Sequence, residues 1–405
     1  MTGRSAESST GNAENRSSKR SNEQTHLSGT FVQHLSTEAE FDTLHQDWQR
    51  LHGAQHTSGL FNSWYWNRLW WQYYGEIGEL FIVTVSVNDL IVGIAPFYRC
   101  QTKALKLHDA TTLRFIGSGG DTSPDDLDFL YSTEYAQLVF KNVCDYIFCH
   151  SQCTRFLLND LVADSGLVTT ILGTAPSKHW KYPAVRKNDR RVDSLPESIE
   201  AFEKNLSRNS RKQRKRRRQK LYQSGNKVEF MRCTNSAQID AMFGELLRVH
   251  NLRHAGNQGS DSFQSDKYQR FHLAIMNTAL EHNELRLLHL IVDGKTVGLE
   301  YAFLCKNKLL FFQTGFDPQF QHLSPGHLLM METIDQAIED KAQAMDLLKG
   351  DYEYKHSYAT QIKTSVDIDL WRNPILATIK HLIRKVKTAR NHSGSMSGST
   401  SESHE

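Results

Sequence analysis

The chain has 405 residues, of which 39% are hydrophobic and 10% aromatic, and its formal net charge is only +3. This length allows two domains or one large one, and the aromatic content excludes a largely disordered chain. The small net charge gives no general sign of a nucleic-acid partner, and no apolar segment is long enough to span a membrane. Six cysteines without framework spacing, after a polar N-terminus without an apolar signal core, favour a cytoplasmic protein with free thiols.

The first part of the chain predicts a lobe of strands and helices over residues 29–190, after a disordered tail at 1–28. Two β-rich segments, 80–87 and 90–98, flank Asn88-Asp89 and so predict a β-hairpin. An aromatic-rich helix before the hairpin, a helix at 134–151 and a strand after it complete the pattern. We therefore expect a mixed sheet with helices packed on it.

A loop with three glycines follows the strand that ends at Gly117, and it carries Asp125, Asp126 and Asp128. The glycines do not fit a dinucleotide-binding fingerprint. The loop is then either a plain surface loop or the wall of a cleft that meets a cationic or hydroxyl-rich substrate. On the second interpretation, Asp125 and Asp128 are substrate-binding residues.

Polar residues and two prolines at 177–196 predict a domain boundary or an inter-lobe linker before a second lobe at 196–372. A helix is predicted at 197–223, with nine basic residues between Arg208 and Lys220 and none that is apolar. Like charges four residues apart destabilise a helix, so this segment is expected to contact anions; a solvated surface is the equally weighted alternative.

The second lobe is predicted to contain helices and then three consecutive strands, near 285–292, 296–304 and 308–315. Asp293-Gly294 between the first two is a hairpin turn, and His289 stands where a phosphate-binding P-loop would need glycine. A helix from about 326 to 341 and a strand near 344–348 follow.

The loop between the third strand and that helix is the most informative stretch of the sequence. The strand ends in Gly315-Phe316-Asp317-Pro318, and Ser324-Pro325-Gly326 precedes the helix. A helix N-terminus presents unpaired backbone N–H groups and a positive dipole, which favour phosphate. An ordinary strand-to-helix connection is the alternative that local chemistry alone favours.

After the second lobe, residues 373–390 predict a basic amphipathic helix, and residues 391–405 a disordered tail. One face of the helix is apolar and the other carries lysine and arginine. Such a helix suits an anionic membrane surface, and packing on its own protein is the alternative. The sequence thus predicts a cytoplasmic protein in which residues 374–390 either pack on the protein itself or make a peripheral contact with the inner face of the membrane.

The ordered set of motifs resembles the GNAT N-acyltransferase fold, in particular CelD-like acetyltransferases associated with cellulose biosynthesis, and is distantly similar to Fem-type aminoacyltransferases. The resemblance implies an α+β protein with tandem GNAT-like folds, each a mixed, mainly antiparallel sheet flanked by helices. The motifs span about residues 40–360, and they are Phe61-x-x-Trp64, Trp70-Trp71, Leu90-x-x-Gly93-x-Ala95-Pro96, Phe115-x-Gly117, the basic segment 207–221, Gly315–Pro318, Ser324–Gly326 and Gly350-Asp351-x-x-Tyr354-Lys355.

The resemblance also implies acetyl-CoA or another acyl-CoA as the co-substrate, without a metal. Its phosphates would be held by backbone N–H groups in the loop at Gln321–Gly326, which is one residue longer than the family pattern and contains Pro325. The implied donor-binding residues are Thr314, Gly315, Phe316, Gln321, Ser324, Pro325, Gly326, His327 and Leu328.

Attack of an amine on a thioester needs a base, an oxyanion donor and an acid for the leaving thiolate. Glu300, in the middle of an apolar strand, is one candidate base, with a salt bridge to a neighbouring strand as the alternative, and Asp351 is the other candidate. Tyr354 is the candidate acid. Lys355 and Arg253 are candidates for binding phosphate or carboxylate on the substrate.

Three functions remain open from the sequence. The first is acyl transfer to an amine or hydroxyl on a polysaccharide, amino-sugar or lipid precursor. The second is a non-catalytic GNAT-like protein that binds an anionic surface or partner. The third is an aminoacyl-tRNA-dependent transferase; nucleic acid is otherwise not an expected partner, because no groove-reading or base-stacking element accompanies the basic helix.

Overall fold

The computed structural model describes residues 29–55, 59–103, 109–181, 185–223, 225–254, 262–350, 353–379 and 382–383. The tails predicted to be disordered lie outside these residues, as do 384–390 of the predicted terminal helix. Within the described part, residues 374–379 are helical, and the side chains of Ile375 and Leu382 are exposed. The predicted membrane contact of this segment stays a prediction. None of the described helices is both long and apolar enough to cross a bilayer.

The N-terminal lobe follows the predicted order of elements. Ser63 caps the aromatic-rich helix by accepting a hydrogen bond from the Trp66 N–H, as a serine at that position predicts. The strands are β1 (Thr30–Leu35), β2 (Gly78–Val87), β3 (Leu90–Lys103), β4 (Asp109–Phe115), β5 (Leu130–Tyr131), β6 (Arg155–Val162) and β7 (Val185–Ser194), and the helices are α1 (Glu38–Thr43), α2 (His45–Ala54), α3 (Trp64–Tyr74), α4 (Ala136–His150) and α5 (Gly166–Thr174).

The C-terminal lobe repeats this order with fewer short elements. Its helices are α6 (Ile199–Asn205), α7 (Arg208–Gln223), α8 (Ser236–His254), α9 (Asp266–Glu281) and α10 (Pro325–Glu339), and its strands are β8 (Val228–Arg232), β9 (Leu285–Val292), β10 (Lys295–Cys305), β11 (Lys308–Phe316), β12 (Ala344–Lys349) and β13 (Gln361–Trp371). The three consecutive strands and the helix after them are confirmed.

All thirteen described strands form one sheet, in the order β1-β2-β3-β4-β6-β13-β7-β12-β11-β10-β9-β8, with β5 paired to β3. The two halves of this order mirror each other. Each half contains one parallel pair, β4 with β6 and β11 with β12, while the remaining neighbours are antiparallel. The last strand of each lobe crosses into the other half, because β13 pairs with β6 and β7 pairs with β12.

The predicted linker at 177–196 was wrong for residues 185–194, which form the central strand β7. Five of its ten residues are half-buried, four are exposed, and Arg190 is its one fully buried side chain, so a polar composition is compatible with this strand. The predicted helix at 197–223 is two helices, α6 and α7, which are interrupted at Leu206 in an extended conformation.

The two lobes contain matching hairpins. Asn88-Asp89 joins β2 to β3 and Asp293-Gly294 joins β9 to β10, and all four residues have positive φ, as two-residue hairpin turns require. Each hairpin has a register shift just before a glycine of its second strand, Gly93 or Gly298. A Cβ at Gly93 would lie 2.5 Å from Val139 of α4, so this glycine lets the helix approach the sheet.

The parallel pair of the C-terminal lobe separates toward the ends of its strands. Pairing between β11 and β12 covers only Lys308–Leu310 against Ala344–Asp346. Beyond Leu310, β11 continues beside β10 alone, after a bulge opposite Tyr301 and Ala302. The separation opens a gap in the sheet where α10 begins.

Candidate active site

A cavity of about 310 Å³ lies where β11 ends and α10 begins. It is lined by Thr314, Phe316, Gln321, Ser324, Pro325, Gly326, His327, Met330 and Tyr354. We call it the β11–α10 cavity. Its volume is within the range of small-molecule sites, and its wall combines apolar side chains with a few polar groups, as such sites usually do.

Seven of the nine predicted donor-binding residues line this cavity, and two do not. Gly315 faces α8, where a Cβ would lie 2.8 Å from the His250 backbone nitrogen, so glycine is needed there for close packing. Leu328 is buried in the core. Met330 lines the cavity although the sequence analysis did not select it; it follows Gly326 by four residues and so lies on the same helix face.

The first turn of α10 faces the cavity without a side-chain cap. Ser324 has the left-handed conformation, with φ 61°, and its hydroxyl does not cap the helix. The N–H groups of His327 and Leu328 donate to the Ser324 carbonyl at 3.1 and 3.2 Å, and Pro325 has no N–H. Among the described residues, the Gly326 N–H has no acceptor. It remains as a donor at the positive end of the helix dipole.

Glu300 lies directly behind the cavity wall. Its side chain is completely buried on β10, and the Thr314 hydroxyl donates to its Oε2 at 2.6 Å. Glu300 and Thr314 are register partners across β10 and β11. Since Thr314 lines the cavity, its hydroxyl group connects the buried Glu300 carboxylate to the cavity by one hydrogen bond.

His327 is held in the cavity wall by a tyrosine. Its Nδ1 lies 2.8 Å from the Tyr358 hydroxyl, and Tyr358 is buried. Burial lowers the pKa of His327 to about 4, and the charge of Arg217 acts in the same direction. The imidazole is therefore neutral near pH 7.

The basic helix α7 packs beside the same loop. Arg214 is buried, and both Arg214 and Arg218 form ion pairs with Asp335 of α10. The Lys220 ammonium donates to the His322 carbonyl at 2.6 Å. Some charges of this helix thus attach it to α10 and to the loop. Most of the others are exposed to solvent, and Arg217 is close enough to His327 to lower its pKa.

The remaining predicted residues of the C-terminal lobe have mixed positions. Tyr354 is 38% exposed and lines the cavity. Lys355 is buried, and its ammonium donates to the carbonyls of Leu347, Leu348 and Lys349 at 2.6, 3.1 and 2.9 Å, so it braces the end of β12. Arg253 belongs to α8, but its side chain lies outside what the structure describes, as does all of Asp351.

Asp125 and Asp128, predicted to bind substrate, are buried outside the lining of the β11–α10 cavity. Burial raises the pKa of Asp125 to about 7, although Arg190 opposes this shift from 4.0 Å. Burial also raises the pKa of Asp128 to about 7, and its carboxylate accepts a hydrogen bond from the Phe129 N–H. Their substrate role stays a prediction.

Asp125 belongs to a buried charge cluster between the lobes. At its centre, Arg190 of β7 contacts Asp126 at 2.5 Å and Asp346 of β12 at 3.0 Å. Burial disfavours ionisation of Asp126, but the charges of Arg190 and Lys363 outweigh it and lower the pKa of Asp126. The cluster therefore joins carboxylates of both lobes through one guanidinium.

Comparison with known proteins places this site in a recognised fold. Residues 208–356 match the family model described as an acetyltransferase (GNAT) domain. A search among curated proteins finds no match.

Among solved structures, the chain is similar to FemX, with a TM-score of 0.56 and 9% identity over 83% of this chain and 96% of that one. It is also similar to the C-terminal domain of a protein assigned as a lysylphosphatidylglycerol synthetase from Agrobacterium fabrum, with a TM-score of 0.50 and 9% identity over 86% and 97% of the two chains. At these identities the similarity concerns the fold alone.

The predicted fold class is confirmed. The chain has an α+β GNAT fold, with a mixed sheet flanked by helices, and the mirrored strand order contains two copies of it. The family match covers the C-terminal copy, which holds the β11–α10 cavity. The narrower likeness to CelD-like acetyltransferases stays a prediction.

Proposed function

We propose that the C-terminal lobe is an acyltransferase that moves an acyl group from acyl-CoA to an amine or hydroxyl acceptor on a polysaccharide, amino-sugar or lipid precursor. The observation that carries this proposal is the hydrogen bond from Thr314 to Glu300. It connects a fully buried carboxylate to a hydroxyl in the wall of a cavity at a helix N-terminus. The match of this lobe to an acetyltransferase (GNAT) domain supports the same reaction class.

The residues around the cavity fit an acyl-CoA, although with few backbone donors. The Gly326 N–H and the dipole of α10 favour a phosphate at the helix N-terminus. The α7 cations supply further positive charge, with Lys220 already bonded to the adjoining loop. Phe316 and Met330 provide apolar wall for the remainder of the ligand.

In the proposed reaction, the acceptor nitrogen or oxygen forms a bond to the thioester carbonyl carbon, and the carbon–sulfur bond breaks. The acceptor proton passes to the Thr314 oxygen as the Thr314 hydroxyl proton passes to Glu300. The Tyr354 hydroxyl supplies the proton for the departing thiolate. His327 is neutral, so its ring can donate one hydrogen bond within the cavity while the other nitrogen stays next to Tyr358.

Labelled acetyl-CoA and a panel of amine- and hydroxyl-bearing sugars and lipids test this proposal. We expect Glu300→Gln to reduce turnover by about 100-fold or more, because removal of a general base typically costs that much. Acetyl-CoA should still stabilise this variant against thermal unfolding, since ligand at about 100 times its Kd adds about 2.7 kcal/mol of stability. Thr314→Val should lower turnover in the same way.

Glu339→Gln is the matched control, because Glu339 is exposed at the far end of α10. It should keep full turnover. Equal turnover in Glu300→Gln and Glu339→Gln would contradict the proposed role of Glu300. If acetyl-CoA does not stabilise the protein against unfolding, the proposal that acyl-CoA is the acyl donor is contradicted. That result would favour the non-catalytic alternative.

A further inference from the structure

A second and larger cavity, of about 540 Å³, lies between the two lobes. The loop after β4 forms one wall, strands β6, β7 and β13 form its floor, and the end of β12 closes it on the side of the C-terminal lobe. We call it the inter-lobe cavity. Its lining is dominated by hydroxyl, amide and charged side chains, so it differs chemically from the β11–α10 cavity, with its partly apolar wall.

The carboxylates of the inter-lobe cavity already have donors within the protein. Asp160 forms an ion pair with Lys349. Asp189 accepts a hydrogen bond from the Thr364 hydroxyl at 2.6 Å. Asp367 accepts one from the Asp160 N–H at 2.9 Å. These three acids are therefore used in binding the strands to one another.

The two arginines of the cavity are not used in this way. Within the described part of the chain, no carboxylate lies within 4.0 Å of the guanidinium of Arg114 or Arg186, and the buried Arg114 Nε has no hydrogen-bond partner. Gly119, with φ +112°, leaves room for the Arg114 side chain, because a Cβ there would lie 3.1 Å from its Cζ. A guanidinium that lines a cavity and has no carboxylate partner can pair with an anionic ligand through its terminal N–H groups.

We propose that the inter-lobe cavity binds a polyhydroxylated small molecule that carries one phosphate or carboxylate group, such as an anionic sugar. Arg114 and Arg186 bind the anionic group, since guanidinium pairs with phosphate and carboxylate through two parallel hydrogen bonds. Ser123, Asn159 and Asn188 bind the hydroxyl groups. The cavity is large enough for such a ligand. This site is separate from the β11–α10 cavity and does not depend on the proposed acyl transfer.

Calorimetric titration of the full-length protein with glucose 6-phosphate, glucuronate and glucose tests this assignment. We expect at least one of the two anionic probes to bind at least tenfold more tightly than glucose. Arg114→Met should weaken that binding by about tenfold, or about 1.4 kcal/mol. Arg186→Met should also weaken it, and since Arg186 is exposed, this variant carries little risk of misfolding.

Two control variants separate this site from other effects. Arg50→Met removes an exposed arginine of the same lobe that pairs with Asp47, and should bind the probes like the wild type. Glu300→Gln should also bind them normally, so failure of the acyl-transfer proposal would leave this result unchanged. The assignment is overturned if neither anionic probe binds more tightly than glucose, or if both cavity-arginine variants bind like the wild type.

Discussion

In the N-terminal lobe, β4 leaves the sheet at Phe115, whereas its counterpart β11 continues for the full length of the site. After Phe115 the chain makes a further backbone hydrogen bond to β3, from the Ile116 N–H to the Pro96 carbonyl at 2.8 Å, and then turns away from that strand. It returns as β5, which pairs with Gly93 and Ile94. In the C-terminal lobe, the equivalent positions on β10 pair with Phe316 and Gly315 of β11 itself.

The detour in the N-terminal lobe fills the gap that stays open in the C-terminal lobe. Leu127 pairs with Leu161 of β6 in a parallel bridge, and its N–H donates to the Asp160 carbonyl at 3.0 Å. We call residues 117–129 the plug. One copy of the fold thus keeps a cavity beside its hairpin, and the other uses the same place for packing and for a wall of the inter-lobe cavity.

The matching registers also align β10, which carries the candidate base Glu300, with β3 of the N-terminal lobe. Counting two residues on from Gly93 and Gly298, which share a register shift, Ala95 corresponds to Glu300. Both side chains are fully buried. At this matched position one lobe has a buried carboxylate bonded to the Thr314 hydroxyl and the other has only a methyl group, so the candidate chemistry belongs to one copy of the fold.

The largest change in stability is expected from the buried charge cluster around Arg190, which lies between the lobes. Arg190→Met should destabilise the protein by about 3–5 kcal/mol, because it leaves buried carboxylates of both lobes without their shared cation. Urea unfolding measures the change, and exposed Lys187→Met on the same strand is the control. A loss no larger than that of Lys187→Met would show that the lobes do not depend on this cluster.

Asp125 in the plug should make the free energy of unfolding depend on pH. Burial raises the pKa of Asp125 from its ordinary value of 3.8 to about 7, so between these values the folded state holds a proton that the unfolded state has lost. Its contribution to stability is present at low pH and is lost as pH rises toward 7. Asp125→Asn should therefore reduce the fall in stability between about pH 4 and 7 by a few kcal/mol.

Unfolding free energies of wild type and Asp125→Asn, measured by urea at several pH values in that window, test this expectation. Asp128 and Asp160, whose pKa values burial raises to about 7 and about 6, act in the same direction and remain in the variant. A residual slope is therefore expected. Parallel pH profiles for the two proteins would show that Asp125 ionises freely in the plug.

The two hairpin glycines should respond differently to the same substitution. Gly93→Ala and Gly298→Ala should each cost about 1–3 kcal/mol through overpacking. At Gly93 the new Cβ meets the methyl groups of Val139, whereas at Gly298 it lies 2.8 Å from the Gly315 carbonyl oxygen. A second substitution, Val139→Ala, should restore part of the loss at Gly93, because it removes those methyl groups.

Leu329→Ala, the corresponding change on α10, should not rescue Gly298→Ala. The main clash there is with the Gly315 carbonyl oxygen, which no side-chain substitution removes. Double-mutant cycles in urea measure both couplings. Equal rescue in the two lobes would mean that the approach of β11 to β10 is not what requires glycine at 298.

Much of the fold could be predicted because its signals are local. The turns at Asn88-Asp89 and Asp293-Gly294, the cap at Ser63 and the periodicity of α9 and α10 are set by residues next to one another in the chain. The cavity lining was also largely predictable, since most of it comes from one continuous stretch between Thr314 and His327. A strand, a short loop and a helix start place such residues together without any distant partner.

Three features could not be predicted because they depend on distant pairs. The polar strand β7 was mistaken for a linker, since its partners β12 and β13 lie more than 140 residues further along the chain. The position of Arg190 beside Asp125 had no sequence signal, because the two residues lie 65 positions apart in the chain. For the inter-lobe cavity, the sequence offered only the loop after β4 as a candidate cleft wall, since the other lining residues come from several separate segments.

The sequence by itself determined that the loop from Gly315 to Gly326 ends a strand and begins a helix, because turn and cap residues act within one or two turns of chain. Only the tertiary structure decided that α7 is attached beside this loop, that Glu300 lies behind Thr314, and that the plug closes the equivalent place in the other lobe. The physical reason is that burial, ion pairing and cavity shape depend on which segments pack together, and that choice is made by the whole chain.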